Sequence, residues 1–141
     1  MMDRFVWSPG RQLLTSMLVV GALSGCGSSL TSITTEAMDS CIAARNPAFT
    51  GGHGADALKT PLSDRTRALA MKLRYERGFK GLKSIAEHAR DQVTLVCALD
   101  MISYNGDADV REFLQRYLKH PSPDVALNAK VLLDRPIPNG L

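Results

Sequence analysis

The sequence predicts an all-α protein: five to six short helices folded as antiparallel hairpins, forming either a small α-solenoid or a compact helical bundle. Three observations carry that prediction. No stretch alternates apolar and polar residues with period two. Apolar residues instead return at helical spacing, and most such runs open on a capping residue and close at glycine, Asn-Gly or proline. The first run, TSITTEAMDSCIAARN, puts Ile33, Ala37, Met38, Cys41 and Ile42 on one face, so Cys41 points inward. Residues 46–62, NPAFTGGHGADALKTPL, hold two prolines and three glycines and read as a long loop with room for one turn of helix at Ala55–Lys59. Loops of that length in a compact domain are uncommon and are often functional or disordered.

From Ser63 onward the predicted helices crowd together. SDRTRALAMKLRYERG has Ser63 or Asp64 as cap, Ala68, Leu69, Met71 and Leu73 as its apolar stripe, and Gly78 as its stop. FKGLKSIAEHARD repeats the device with Phe79, Leu82, Ile85, Ala86 and Ala89, and QVTLVCALDMISYNG places Val93, Val96, Cys97 and Met101 on one side before Asn105-Gly106. DADVREFLQRYLKH offers Asp107 or Asp109 as cap, with Val110, Phe113, Leu114, Tyr117 and Leu118 as core. SPDVALNAKVLLD opens on Ser122 as N-cap with Pro123 in the first turn, buries Val125, Ala129, Leu132 and Leu133, and is barred from continuing by Pro136.

These helices repeat. An offset of 32 lays Leu82 on Leu114, His88 on His120, Val93 on Val125, Cys97 on Ala129 and Met101 on Leu133. Two helices joined by a tight turn, the inner one carrying a valine and a small residue four later, resemble HEAT-type repeats, most closely in VREFLQRYLKHPSPDVALNAKVLL. The spacing is also similar to that of tetratricopeptide repeats, although their Trp, Gly, Tyr and Pro pattern is absent. The resemblance spans Ser63–Leu133 and implies stacked helix pairs; an unrelated compact bundle fits the same periodicity.

The front of the chain has a different character. Residues 1–12 carry Arg4 and Arg11 against Asp3, and Leu13–Leu23 is an uncharged apolar run. A positive flank before so short an apolar stretch reads as a secretory signal, too short to span a bilayer. It ends in Leu23-Ser24-Gly25-Cys26, which resembles the lipobox of bacterial lipoproteins; a plain signal peptide with a chance cysteine is the alternative. The resemblance implies cleavage after residue 25, a diacylglyceryl thioether and an N-acyl group on Cys26, and anchorage by acyl chains. One chain anchors only marginally, whereas two or more hold. Residues 26–35 then read as a lipid-anchored flexible tether, 36–136 as a periplasmic helical domain and 137–141 as a C-terminal tail. Because Gly27 rather than aspartate follows Cys26, the resemblance implies the outer membrane, periplasmic face.

Taking 25 residues from 141 leaves 116, and taking two of 17 basic and one of 14 acidic residues leaves a net charge of +2. That is too mild to argue for nucleic acid. With Cys26 lipidated in an oxidising compartment, Cys41 and Cys97 are left over and suggest one disulfide, with two buried free thiols as the alternative. Closing a 56-residue separation would contribute about 4 kcal/mol in the chain-entropy model.

No nucleophile elbow, zinc-binding helix or phosphate loop is present. Of the three histidines, none has a second histidine or cysteine at metal spacing. His88 and His120 fall near helix ends, where a histidine meets the last carbonyls. His53, in GGHGAD, is a weak ligand signal better read as part of a connector. Glu87 and His88 are sequence neighbours on a helix and do not face one another, and Asp91 does not complete an acid–base pair.

The expectation is therefore a non-enzyme with no cofactor beyond its lipid and no evident small-molecule substrate. It is a helical scaffold or adaptor that presents a surface to an envelope, secretion or pilus assembly component. An immunity or exclusion lipoprotein against a toxin or phage factor is the alternative, disfavoured because such proteins often present a strongly acidic face. The expected partner-binding face is Arg74, Arg77, Lys80, Lys83, Arg111, Arg116 and Lys119.

Overall fold

The computed structural model describes residues 29–58 and 61–136. The signal, the lipobox with Cys26, and the tail at 137–141 lie outside the described residues. Among these the chain forms α1 (Leu30–Thr50), α2 (Gly54–Ala57), α3 (Asp64–Tyr75), α4 (Phe79–His88), α5 (Gln92–Ser103), α6 (Ala108–Gln115), a 3-10 turn at Arg116–Lys119, and α7 (Pro123–Asp134). No strand occurs among the described residues, and the helices form a compact bundle around α5.

Helix α1 is longer at both ends than its periodicity predicts. The Ser29 hydroxyl accepts the Ser32 N–H at 3.2 Å and caps the helix, so residues 30–35, assigned above to the tether, are its first turns, with Ile33 and Thr34 buried. At the far end α1 runs through Pro47 into the segment read as a loop. A proline inside a helix costs about 3 kcal/mol because it offers no N–H and crowds the preceding turn. Tertiary contacts offset that cost. Phe49 packs on the core, Arg45 is buried against Asp100, and Thr50 Oγ1 donates to the carbonyls of Asn46 and Pro47.

The glycines of GGHGAD are structural. Gly52 takes the left-handed conformation at φ 77°, and Gly54 lies where a Cβ would meet the Asp124 carboxylate at the head of α7 and the Phe49 ring. The motif is thus a close-approach turn between α1 and α7, with His53 exposed beside it.

The remaining caps follow the chemistry of their residues. Ser63 Oγ accepts the Thr66 N–H, Asp91 accepts both the N–H and the hydroxyl of Thr94 at 2.8 Å, and Pro123 opens α7 behind Ser122. His88 Nδ1 meets the Ser84 carbonyl at 2.8 Å. His120 differs from its expected role: its Nδ1 accepts the Ser122 N–H at 3.1 Å and orders the turn before α7 instead of meeting a carbonyl.

Two predicted stripes shift. In α3 the buried residues are Thr66, Ala70 and Leu73, while Leu69 and Met71 are half-buried and Ala68 is exposed. Thr66 can face inward because Ser40 and Ser63 satisfy its hydroxyl at 2.7 and 2.8 Å. Leu118, expected in the core, is 42% exposed because the chain tightens into the 3-10 turn at Arg116 and leaves the α period.

Helix α5 is the centre. Val93, Val96, Cys97 and Met101 are buried as predicted, but so are Leu95, Ala98, Leu99, Asp100 and Ile102, because α1, α4, α6 and α7 all pack on it. Cys41 and Cys97 are joined as a disulfide, Cα atoms 5.8 Å apart, and fasten α1 to α5. Beside that bond Arg45 of α1 and Asp100 of α5 form a salt bridge with side chains 5% and 2% exposed. Burial holds the Asp100 carboxyl above the ordinary aspartate range, with the guanidinia of Arg45 and Arg135 pulling the other way.

Candidate functional site

The end of α3 sets the geometry of the site. Arg77 and Gly78 donate their N–H groups to the carbonyls of Arg74 and Leu73 at 3.1 and 2.7 Å, closing the helix as a Schellman motif with Glu76 as C-cap. The left-handed position of that motif is where glycine is usual, yet it is held here by Arg77 at φ 56°, with Gly78 one residue later. Gly78 is needed for a different reason: a Cβ there would lie 2.8 Å from Leu73 Cδ2 and 3.2 Å from Leu30 Cδ2. A left-handed conformation costs a non-glycine residue about 1 kcal/mol.

That turn forms one wall of a hollow of about 650 Å³, bounded by the end of α3, the start of α4 and the α5–α6 connection. Arg74, Arg77, Lys80 and Lys83 line it, with Tyr75, Phe79, Asn105, Asp107 and Asp109. Lys83 Nζ donates to Asp109 Oδ2 at 2.7 Å, and that bond holds the Asp109 carboxyl below the usual aspartate range. Arg74, Arg77 and Lys80 have no carboxylate partner among the described residues, so the hollow keeps unspent positive charge. Tyr75 stands on its rim, 89% exposed.

The seven predicted contact residues do not form one face. Four of them meet in this hollow. Arg116 is linked to it through Phe113, whose ring centre lies 5.7 Å from the Arg116 guanidinium and 5.8 Å from Lys83 Nζ, and it also pairs with Glu112 at 3.5 Å. Arg111 turns away and donates to the Leu133 carbonyl at 3.3 Å, closing the carboxyl end of α7. Lys119 is exposed in the 3-10 turn, outside the hollow.

The periodicity had no means of placing Tyr75 beside those cations. Its only signal was an aromatic side chain between basic residues in the run LRYERG, off the apolar stripe. Asp107 and Asp109, which the sequence offers as caps, both line the hollow. Among the described residues no His/Cys/Asp/Glu group is arranged to hold a metal ion, and no helix is long and apolar enough to cross a membrane.

Chemically, the hollow offers three cations without a carboxylate in salt-bridge contact among the described residues, one lysine–aspartate pair and an exposed aromatic ring. No protein-family model, curated protein or solved structure matches the chain.

Proposed function

We propose that the chain is a bacterial lipoprotein, lipidated at Cys26 and held on the periplasmic face of the outer membrane. There it serves as a non-catalytic helical adaptor, docking an acidic segment of an envelope, secretion or pilus assembly component in the Arg74–Arg77–Lys80 hollow. The observation that supports this reading best is Arg77 itself: a residue held in a conformation that glycine would adopt at less cost, lining a hollow in which the cations outnumber the carboxylates four to two. The hollow also adjoins the start of α1, where Leu30 meets Gly78. Three residues lie between Cys26 and Leu30, so the start of α1 would lie within about 14 Å of chain from the anchor. A neutraliser of basic toxins would call for the opposite charge.

The HEAT-type reading draws support from the side-by-side register of α5 and α7. Asn128 Nδ2 reaches the Val96 carbonyl at 3.4 Å and Arg135 reaches the Ser103 hydroxyl at 3.4 Å, each across the 32-residue offset.

The test is in-cell cross-linking of the full chain, purification from membranes and identification of what co-purifies, with Cys26→Ser, Arg77→Gly and Arg74→Glu/Lys80→Glu beside the wild type. One envelope component should be captured by the wild type and lost in all three variants. Arg77→Gly should at the same time raise stability by about 1 kcal/mol, separating lost binding from lost folding. Capture unchanged by Arg74→Glu/Lys80→Glu removes the hollow from the proposal, and capture only after a foreign toxin is supplied replaces the adaptor with the neutraliser.

A further inference from the structure

A second hollow, of about 370 Å³, lies on another part of the molecule and is lined by Arg45, Leu58, Pro61, Leu62, Arg67, Tyr104 and Arg135. Its residues come from five places in the chain: the last turns of α1, the α2–α3 connection, α3, the end of α5 and the residue after α7. Three guanidinia converge there, and their recorded carboxylate partners are Asp100, buried, and Asp64, whose side chain is 94% exposed on the solvent side of Arg67. Arg135 lies over the Tyr104 ring at 5.7 Å and reaches the Ser103 hydroxyl at 3.4 Å. Arg45 is 4% exposed, and its Nε finds no hydrogen-bond acceptor among the described residues. Arg45 thus forms the buried floor of the hollow, held against Asp100, while Arg67 and Arg135 are exposed at its edge.

We infer that this hollow binds a small organic carboxylate with a short apolar body. Arg135, with no carboxylate in salt-bridge contact among the described residues, supplies the unpaired charge, and Arg67, whose Asp64 partner is solvent-exposed, supplies a second planar donor fork that matches a carboxylate. Leu58, Pro61, Leu62 and the Tyr104 ring supply apolar walls that a bare inorganic anion would leave unused. Burial raises the Tyr104 phenol above its usual range, so it stays protonated and offers a hydroxyl donor rather than another negative charge. The volume sits at the lower end of ligand pockets and fits a small molecule. The inference stands apart from the lipid anchor and from the basic hollow, with which it shares no lining residue.

The test is a calorimetric titration of the full chain in a neutral detergent with benzoate, using benzamide and inorganic phosphate as comparators. Benzoate should bind at least about tenfold more tightly than either comparator. Arg67→Gln and Arg135→Gln, both exposed at the rim, should each weaken it about tenfold while leaving thermal unfolding nearly unchanged. In a proton spectrum the Tyr104 ring signals should shift on benzoate addition. Benzamide binding as well as benzoate overturns the role of charge. Phosphate binding as well as benzoate overturns the role of the apolar walls. No benzoate binding at millimolar concentration overturns the site.

Discussion

Helices α5 and α7 carry the same pattern at an offset of 32 and live in different surroundings. Leu95 and Leu99 of α5 are 6% and 0% exposed, whereas their counterparts Leu127 and Val131 of α7 are 42% and 43% exposed. Cys97 is bonded to α1 where α7 has Ala129, and Asp100 is paired with Arg45 where α7 has Leu132. A helix read from its own residues shows which side faces inward; how many sides end up inside is decided by whatever else arrives. For α5 that is α1, which brings with it both the disulfide and the salt bridge.

The sharpest break in this comparison is the ion pair. Arg45→Met should cost about 3–5 kcal/mol in denaturant unfolding, because it leaves the Asp100 charge buried and unpaired. Making α5 resemble α7, with Arg45→Met and Asp100→Leu together, should restore stability to the wild-type level or above. The pH dependence has a definite sign. With its folded pKa above the reference value of 3.8, Asp100 contributes stability that is fully present below that value and is lost as pH rises through the folded pKa. Relative to the double variant, the wild type should therefore gain stability on acidification toward pH 4; a relative loss would show that pairing with Arg45 outweighs burial.

Removing the staple comes next. Cys41→Ala/Cys97→Ala should cost about 4 kcal/mol, and before any reduction the wild type should show neither of these thiols to an alkylating reagent. The smallest effects sharpen the contrast directly: Leu99→Ala should cost about 3 kcal/mol, while Val131→Ala at the equivalent place should stay within about 0.5 kcal/mol. Equal losses would mean that α7 is covered in solution.

Much of this bundle was legible because caps and stops act locally. Ser63 and Pro123 open or precede helices for reasons contained in a few neighbouring residues, and the Asp91 cap of α5 is equally local although the periodicity of that run does not point to it. Pro47 was misleading for the opposite reason: a local rule ends the helix, and contacts made by Arg45 and Phe49 with distant residues carry it on. The candidate basic site was half legible. Spacing placed Arg74, Arg77, Lys80 and Lys83 near one turn, but which side chains arrive from the α5–α6 connection depends on packing that a period does not encode. Arg45 and Asp100 did leave a trace. Arg45 follows Cys41 by four residues on a buried face, and Asp100 interrupts an apolar run between Leu99 and Met101. A charge on an apolar face is a request for an opposite charge on another helix, and reading the two together would have paired them.

The bond between Cys41 and Cys97 also closes the chain into a ring that contains α2, α3 and α4. A protease that cuts the exposed turn at Glu76–Arg77 opens the ring without dividing the molecule. The segment leading in from the amino end and the helices toward the carboxyl end stay covalently one piece, their apparent mass on a gel unchanged until a reductant is added. In an oxidising, protease-rich compartment a nicked copy would persist as a single particle, and its release would await reduction as well as cleavage.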